Sequence, residues 1–299
     1  MTYHTPVLLK ASIDELKVQA EGKYADATFG GGGHSREILR RLGENGQLFS
    51  FDQDEDAKAN LPDDDRLTFI PLNFRYLRNS LRMQKAIPLD GILADLGVSS
   101  HQFDEASRGF SIRFDAPLDM RMNQAQPLNA ASILADYPEE ELRRVFRDYG
   151  EIREAGKLAR HLCNVRTDRK IDTTGKLLEL IRPFAGKAKE NQFAAQVFQA
   201  LRIEVNDEMG SLKDFLCQCA EVLKPGGRLV IISYHSLEDR LVKNFLRSGT
   251  FEGEAEKDLF GRTSVPFKAI TRKPVRPPEE EISQNTRARS ALLRVAEKV

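Results

Sequence analysis

The stretch Thr28-Phe29-Gly30-Gly31-Gly32-Gly33-His34-Ser35 places four consecutive glycines between a strand-like segment and a helix-like segment. Residues 23–29 are rich in β-forming side chains, whereas Ile38, Leu39 and Leu42 recur at helical spacing. Glycine accepts positive φ and lets a ligand approach the main chain, and the first turn of a helix offers unpaired N–H groups. The stretch therefore predicts a strand, a glycine turn and a helix that together bind a nucleotide-like ligand.

The same alternation of strand and helix continues after this turn. Short apolar runs followed by polar turns predict further strands at residues 47–52, 67–72 and 90–96. Helical patterns separate them, and a strand-helix-strand connection places consecutive strands in parallel with a right-handed crossover. The predicted fold class is therefore α/β, with a parallel, Rossmann-like sheet.

From about residue 102 to residue 209 the strand pattern is replaced by helical patterns and turns. Leu142, Val145 and Phe146, for example, share one helical face. A segment of this length is too long for a loop, so we expect an inserted helical subdomain. The predicted domains are residues 1–104 together with 210–299 for the sheet, and residues 105–209 for the insertion.

The sheet pattern resumes after the insertion. The sequence predicts a helix over residues 211–223, a turn over 224–227, the most apolar strand of the chain over 228–233 and a helix over 236–246. Residues 248–285 are polar and include Pro274, Pro277 and Pro278, which favours an extended crossing. A last strand is predicted at residues 290–296.

Composition and charge limit the possible functions. The 299 residues include 45 basic and 45 acidic side chains, so no global charge indicates a polyanionic partner. Residues 153–189 differ, because ten basic and four acidic residues give them a net charge of +6. Three cysteines without a Cys-x-x-Cys pair fit a reducing compartment, and no run approaches the roughly 18 apolar residues of a spanning helix. We therefore expect a soluble, cytoplasmic protein without membrane contact.

Polar and aromatic side chains follow the predicted strands. In doubly wound sheets, ligands bind outside the carboxyl ends of the strands. Asp52 lies 22 residues after Gly30, close to the spacing of about 20 residues at which an acid binds ribose hydroxyls. Phe74 and Asp95 follow the next two strands, where Phe74 would cover a purine face and Asp95 would accept from an amine. Nicotinamide cofactors and S-adenosylmethionine both fit this outline.

The spacing of the glycines distinguishes between these two cofactors. The dinucleotide fingerprint Gly-x-Gly-x-x-Gly is absent, since its third glycine falls on Ser35 when counted from Gly30 and on Arg36 when counted from Gly31. With no pyrophosphate to bind, a broad glycine turn suits the carboxylate and amine of a methionine moiety. A Lys-Pro-Gly-Gly-Arg turn at residues 224–228 is also typical of class I methyltransferases. The pattern favours S-adenosylmethionine.

Eight ordered blocks of sequence carry a resemblance to a known family. Two of them read Asp95-Leu96-Gly97-Val98-Ser99-Ser100 and Ser233-Tyr234-His235-Ser236-Leu237-Glu238-Asp239-Arg240. The others are residues 3–9, 26–30 with 32–35, 108–111, 117–122, 198–203 with 205–206, and 287–290. Over nearly its whole length the chain resembles the bacterial 16S ribosomal RNA cytosine-N4 methyltransferases, the RsmH (MraW) family. Residues 248–267 match no block.

The resemblance implies a class I fold and the transfer of a methyl group from S-adenosylmethionine to the exocyclic N4 of a cytidine. The implied substrate is the decoding region of 16S rRNA in the small ribosomal subunit, and a homodimer is a further possibility. The family's cofactor contacts would fall on Gly32, Gly33, His34, Asp52, Phe74, Asp95 and Gln102.

Candidate catalytic residues follow from this chemistry. Asp95 is the first candidate for orienting the cytosine amine, with a main-chain carbonyl of Gly97 or Val98 as the second acceptor. His235 is a candidate for shuttling the proton or contacting a phosphate. We expect an unpaired base to stack on Phe103, Phe110 and Tyr234, and phosphates to contact Arg166, Arg169 and Lys170.

Other functions stay open at the level of the sequence. A non-catalytic RNA-binding or ribosome-assembly protein could retain the cofactor fold, and a methyltransferase could act on another amine. Asp95 is followed by Leu-Gly-Val, which differs from the Pro-Pro-aromatic motif of amino-group DNA methyltransferases. A nicotinamide oxidoreductase is the third alternative. We expect no metal, because His4, His101 and His161 have no arrangement typical of a metal site.

Overall fold

The computed structural model describes residues 6–186, 189–253 and 265–299. Residues 3–5 of the first matching block, Lys187 of the basic stretch and residues 254–264 lie outside the described residues. The chain divides into two compact units. The first comprises the residues up to Gly97 together with Met209–Val299, and the second comprises Val98–Glu208. The sequence-based prediction places the corresponding boundaries at residues 104/105 and 209/210.

A sheet of seven strands, counted over the described residues, organises the first unit. Its strands are β1 (Lys23–Asp26), β2 (Gln47–Phe51), β3 (Leu67–Ile70), β4 (Leu89–Asp95), β5 (Leu223–Ser233), β6 (Phe267–Ala269) and β7 (Leu292–Lys298). Their order is β3-β2-β1-β4-β5-β7-β6. The first five strands pair in parallel, whereas β7 is antiparallel to both β5 and β6. This topology confirms the predicted α/β fold with a Rossmann-like sheet.

Helices connect the strands and build the second unit. They are α1 (Leu9–Leu16), α2 (Gly33–Arg41), α3 (Leu77–Met83), α4 (Ser100–Asp104), α5 (Ala130–Asp136), α6 (Glu139–Asp148), α7 (Ala155–Val165), α8 (Thr174–Ile181), α9 (Glu190–Asn206), α10 (Glu208–Val222), α11 (Ser236–Ser248) and α12 (Glu279–Gln284). Short 3₁₀ helices span Glu55–Asn60, Phe74–Tyr76, Ala106–Arg108, Arg182–Phe184 and Thr286–Ser290. Helices α4 to α9 lie in the second unit.

Apolar side chains cover both faces of the sheet. In β5, Leu229 and Ile231 belong to one buried cluster, and Val230 belongs to a second cluster. Because successive side chains of a strand point to opposite faces, these two clusters are the two sides of the sheet. Burial on both faces explains why the central strands read as continuous apolar runs.

Three sequence-based boundaries are wrong, each for a local reason. Residues 224–227 are not a separate turn but a bulge within β5, because Leu89 pairs with Leu223 and Gly91 already pairs with Arg228. Strand β6 lies in the stretch predicted as an extended crossing, and its three residues are too few to show an alternating pattern. The first strand ends at Asp26 rather than at residue 29, because the chain bends at Ala27, although Phe29 N still donates to Phe51 O at 2.8 Å.

The second unit has its own apolar core. Leu142, Val145 and Phe146 of α6 are buried in it, as their helical spacing predicts. Asn206 at the end of α9 connects this core to a neighbouring loop, since its amide accepts from Met122 N at 2.7 Å and donates to Met120 O at 2.8 Å. In either unit, no helix within the described residues combines the length and the apolar character needed to cross a membrane.

Candidate active site

The glycine turn joins β1 to α2 and is shaped by main-chain hydrogen bonds. Gly32 N donates to Phe29 O at 2.7 Å, and Phe29 N donates to Phe51 O at 2.8 Å. The φ angles of Gly30 and Gly32 are +50° and +74°, a region that L side chains avoid. A Cβ atom at Gly33 would overlap the ring of Pro6. The turn therefore needs glycine, and it leads into an α2 start that has no side-chain cap among the described residues.

Asp52, at the end of β2, braces the glycine turn. Its Oδ2 accepts from Gly30 N at 2.7 Å, and its Oδ1 accepts from Asp54 N at 2.9 Å. Burial is the main reason why the pKa of Asp52 is raised to about 6, and the two main-chain hydrogen bonds oppose that rise. Each carboxylate oxygen has a second lone pair. Asp52 can therefore accept a ribose hydroxyl while it holds the turn.

Asp95 ends β4, and two side chains from distant parts of the sequence face its carboxylate. Tyr234 Oη donates to Asp95 Oδ1 at 2.8 Å, and His34 Nδ1 lies 3.9 Å from Asp95 Oδ2. Burial raises the pKa of Asp95 to about 7; the Tyr234 hydrogen bond lowers it, and the nearby charges of Asp26 and Glu238 raise it. Asp95 therefore exchanges its proton near neutral pH.

His34 presents a neutral acceptor to Asp95. Its Nε2 lies 3.2 Å from Val7 O, and because a carbonyl only accepts, the assigned tautomer has its proton on Nε2. Burial lowers the pKa of His34 to about 4, so the contact with Asp95 is not an ion pair at neutral pH. Two acceptors, His34 Nδ1 and Asp95 Oδ2, thus face each other. This arrangement fits a group that donates two N–H bonds, as a primary amine does.

Thr28 and Asp26, which the sequence-based site omits, connect the glycine turn to Asp95. Asp95 N donates to Thr28 Oγ1 at 2.7 Å, and Thr28 N donates to Asp26 Oδ1 at 3.1 Å. Ser35 Oγ donates to Asp26 Oδ2 at 2.7 Å, and burial raises the pKa of Asp26 to about 6. The available signal is an acid, Asp26, inside the predicted strand 23–29, because a buried carboxylate needs nearby donors.

Glu238 lies against the two residues that follow β5. Its Oε2 accepts from Tyr234 N at 2.9 Å, and its Oε1 lies 3.2 Å from His235 Nε2. Both ring nitrogens of His235 are buried, and neither has a hydrogen-bond partner within the described residues. Since Tyr234 is also bound to Asp95, the segment after β5 is fixed against the end of β4.

Phe74 begins the 3₁₀ helix that follows β3. Asn73 caps this turn by accepting from Arg75 N at 2.8 Å. The ring of Phe74 is partly buried and packs edge-on against Phe215, with ring centroids 5.1 Å apart. One edge of the ring is therefore held by the core of the first unit.

Three predicted site residues lie in the second unit. Gln102 and Ser99 form a reciprocal cap of α4, in which Ser99 N donates to Gln102 Oε1 at 3.0 Å. Phe110 is 5% exposed and belongs to the apolar core of this unit, against which Phe103 packs while partly exposed. These contacts hold α4 and its surroundings in place, and the role of the three residues in binding stays a prediction.

The predicted phosphate contacts also lie in the second unit, and two of the three cations have partners there. Arg166 Nη1 donates to the carbonyls of Leu134 and Tyr137 at 2.9 and 2.6 Å, which stabilises the end of α5. Arg169 pairs with Glu179 at 2.8 Å, whereas Lys170 is exposed. Their contact with RNA stays a prediction.

Comparison with known proteins identifies related sequences. The model of the MraW methylase family matches residues 1–299. A protein of Parabacteroides distasonis named "Ribosomal RNA small subunit methyltransferase H" is 56% identical over 298 residues, which cover 99% of this chain and 98% of the relative. A protein of the same name from Christiangramia forsetii is 56% identical over 299 residues, covering 100% of this chain and 99% of the relative.

Solved structures show a more distant similarity. A putative rRNA-methylase from Clostridium thermocellum is 16% identical, with a TM-score of 0.44, over 99% of this chain and 100% of that chain.

Proposed function

Because the chain belongs to the MraW methylase family, we propose that it transfers a methyl group from S-adenosylmethionine to the exocyclic N4 amine of a cytidine in 16S rRNA. The substrate proposed is the decoding region of the small ribosomal subunit. One observation carries the proposal: a buried carboxylate, Asp95, with a pKa of about 7, is fixed by Tyr234 and through Thr28 to the glycine turn. This arrangement suits binding and orienting an amine beside a cofactor.

The residues of the first unit fit S-adenosylmethionine. A Cβ atom at Gly33 would overlap the ring of Pro6, and Gly30 and Gly32 have positive φ, so the turn from Gly30 to Gly33 carries no side chains. We propose that this turn takes the methionine moiety, whose amine donates to His34 Nδ1 and Asp95 Oδ2. When bound, the cofactor supplies an electrophilic methyl group on a positively charged sulfur.

Further cofactor contacts follow the order of the strands. Asp52 accepts the ribose hydroxyls with its free lone pairs, and the exposed part of the Phe74 ring covers the adenine. We include Gln102 as a contact on the strength of the family resemblance.

Asp95 also orients the target amine, since each of its carboxylate oxygens has a second lone pair besides the one that Tyr234 or the cofactor amine occupies. The lone pair of a cytosine amine is delocalised into the ring, so the nitrogen is a poor nucleophile. An acceptor that bonds one N–H outside the ring plane localises this lone pair, and fixing the nitrogen in line for attack lowers the barrier further. The ionised form of Asp95 performs this role, with a main-chain carbonyl of Gly97 or Val98 as the second acceptor.

The proton leaves after the methyl group has been transferred. A methylated amine that carries a positive charge is a strong acid, so water suffices to accept its proton. His235 offers a second route, since its Nδ1 has no hydrogen-bond partner within the described residues. On the other side of the ring, Nε2 lies 3.2 Å from Glu238 Oε1.

The helical unit, Val98–Glu208, recognises the RNA in this proposal. Phe103, Phe110 and Tyr234 are the candidate stacking residues, and of these Phe103 and Tyr234 are partly exposed. Arg166, Arg169 and Lys170 are the candidate phosphate contacts, and Lys170 is the most available of them because Arg166 and Arg169 already have partners.

Transfer of a radiolabelled methyl group into small ribosomal subunits from cells lacking the enzyme tests the proposal. The wild-type protein should label the 16S rRNA. Asp95→Asn should lower kcat at saturating cofactor at least 50-fold, and His34→Ala should mainly raise KM for S-adenosylmethionine. Asp63→Asn, at an exposed acid, is the matched control. Near-normal turnover of Asp95→Asn would contradict the role of Asp95, and binding without labelling by the wild-type protein would favour a non-catalytic assembly factor.

A further inference from the structure

A groove in the helical unit is not part of the site described above. Its volume is about 440 Å³, within the range of about 300–1,000 Å³ that is typical of small-molecule sites. Its lining comes from the segment before α7, the 3₁₀ helix that follows α8 and the start of α9, and it includes Ile152, Arg153, Phe184, Lys189, Gln192 and Phe193.

The floor of the groove is apolar and aromatic. Ile152 is 4% exposed, and Phe184 and Phe193 pack against the core of the unit while each keeps part of its ring exposed. Phe184 is backed by His161, with ring centroids 5.2 Å apart and an interplanar angle of 53°. Partly exposed rings on a fixed support are the usual platform for an unpaired base.

The two cations at the rim of the groove, Arg153 and Lys189, differ from other cations of the unit in having no ion pair within the described residues. Other basic side chains of this unit are paired, as in Arg160 with Glu139 and Arg182 with Glu190. Arg153 and Lys189 are exposed, and neither has an ion pair within the described residues. Two exposed cations without a partner, on the rim of an aromatic groove, fit a phosphodiester.

Two acidic residues, Glu151 and Glu154, line the groove together with the two cations. Lys157 pairs with Glu154 at 2.5 Å and so offsets one of these acids. The residues that precede the first turns of α7 and α9, Glu154 and Lys189, both line the groove. Neither helix start has a side-chain cap among the described residues. Their free N–H groups add positive potential at the rim.

The α9 face toward the groove also carries polar groups that can read a base. Lys189, Phe193 and Gln196 are spaced four and three residues apart, so they share one side of the helix, with Gln192 next to them. Each glutamine side chain offers both donors and acceptors, which suits the edge of an unpaired base.

We propose that this groove binds one unpaired nucleotide of the RNA substrate. The base lies against Phe184 and Phe193, its edge meets Gln192 or Gln196, and its phosphate contacts Arg153 and Lys189. The inference rests on the proposed function, and it adds a subsite to the predicted contacts at Arg166, Arg169 and Lys170.

Kinetics with unmethylated small subunits test the subsite. The double variant Arg153→Glu/Lys189→Glu should raise KM for subunits at least fivefold, with kcat and KM for S-adenosylmethionine within twofold of wild type. The dependence of log kcat/KM on log salt should become shallower by about 0.7, because the contacts to one phosphate of a single strand are lost. Phe193→Leu, which keeps an apolar side chain, should raise the same KM about threefold or more. The matched control is Lys10→Glu/Arg82→Glu, at exposed cations of the first unit. Values for the groove variants equal to those of this control would overturn the proposal.

Crosslinking with short-wave ultraviolet light gives a readout that does not need turnover. With small subunits bound, mass spectrometry should find a nucleotide on the tryptic peptide 190–202, which contains Phe193, and Phe193→Leu should abolish it. If the protein methylates subunits but this peptide carries no nucleotide, the subsite is wrong. If the peptide is crosslinked but no methyl group is transferred, the subsite stands and the proposed function is wrong.

Discussion

Burial and a hydrogen bond have opposite effects on the pKa of Asp95. Burial favours its neutral form and raises its pKa to about 7, whereas the Tyr234 hydroxyl, at 2.8 Å, stabilises the carboxylate. The balance keeps a substantial ionised fraction at neutral pH inside a buried site. Since the ionised form is the better acceptor for an amine, the Tyr234 hydrogen bond is expected to tune the reaction.

The pH dependence of kcat/KM tests this balance, because kcat/KM reports the pKa of the free enzyme. We expect kcat/KM for S-adenosylmethionine to rise with pH and to level off above about 7, as Asp95 loses its proton. Tyr234→Phe removes the hydrogen bond that lowers the pKa of Asp95, so the rising limb should move to higher pH. Tyr76→Phe, at a tyrosine that is 51% exposed, should leave the profile unchanged. An unshifted limb in Tyr234→Phe would show that another group titrates.

For single residues, the sequence predicts where a side chain lies in the fold better than it predicts its hydrogen-bond partners. The positions of Asp52 and Asp95 at strand ends could be predicted, because parallel strands bring their carboxyl ends to the same edge of the sheet. The contact of Asp95 with Tyr234 joins residues 139 positions apart, which no local pattern reveals. Tyr234 was identifiable as a stacking candidate from its type, but its hydroxyl bond to Asp95 depends on the fold.

The glycine turn is the element that determines where a cofactor can approach. Gly33 leaves no room for a side chain, because a Cβ atom there would overlap the ring of Pro6. We expect Gly33→Ala to displace the start of α2 and to weaken binding of S-adenosylmethionine at least tenfold by calorimetry.

A glycine inside a helix provides the control for this variant. A Cβ atom at Gly156 in α7 would lie 3.7 Å from Arg143 Cδ, an ordinary contact. Gly156→Ala should bind the cofactor normally and gain about 0.5–1 kcal/mol of stability, since alanine is the better helix former. Equal cofactor affinity in both variants would contradict the proposed role of the turn.

Asn206 should be a main source of stability in the helical unit. It is 7% exposed, and its side chain bonds Met122 N, Met120 O and Arg202 O. Asn206→Ala leaves these buried groups without partners and should cost about 2–4 kcal/mol. Hydrogen exchange at peptides containing Met122 should report the loss. Asn164→Ala, at an exposed position of α7, should not change the exchange there, and an equal effect of both variants would refute this assignment.

Some strands can be predicted from the sequence and others cannot. The central parallel strands were predictable because burial on both faces makes them continuous apolar runs. Strand β6 was not, because its three residues become a strand only by pairing with β7. The bulge of β5 was likewise hidden, because its Lys-Pro-Gly-Gly sequence is typical of a turn and only the pairing with β4 shows that the strand continues.

For the whole molecule, charge is balanced overall but not locally. The 45 basic and 45 acidic residues cancel, and several cations of the stretch 153–189 are paired with nearby acids. RNA affinity should therefore come from a few unpaired cations together with stacking, and its salt dependence should be moderate. The predicted homodimer remains a prediction, which the sedimentation coefficient of the purified protein would test.

The central claim is that the chain methylates N4 of a cytidine in 16S rRNA, and nucleoside mass spectrometry tests it most directly. Small subunits from cells lacking the enzyme are incubated with the purified protein and S-adenosylmethionine that carries an isotope-labelled methyl group, and the rRNA is then digested. We expect about one labelled N4-methylcytidine per subunit, formed at least 50-fold more slowly with Asp95→Asn. Label in any other nucleoside, or no label in rRNA while the protein binds the cofactor, would contradict it.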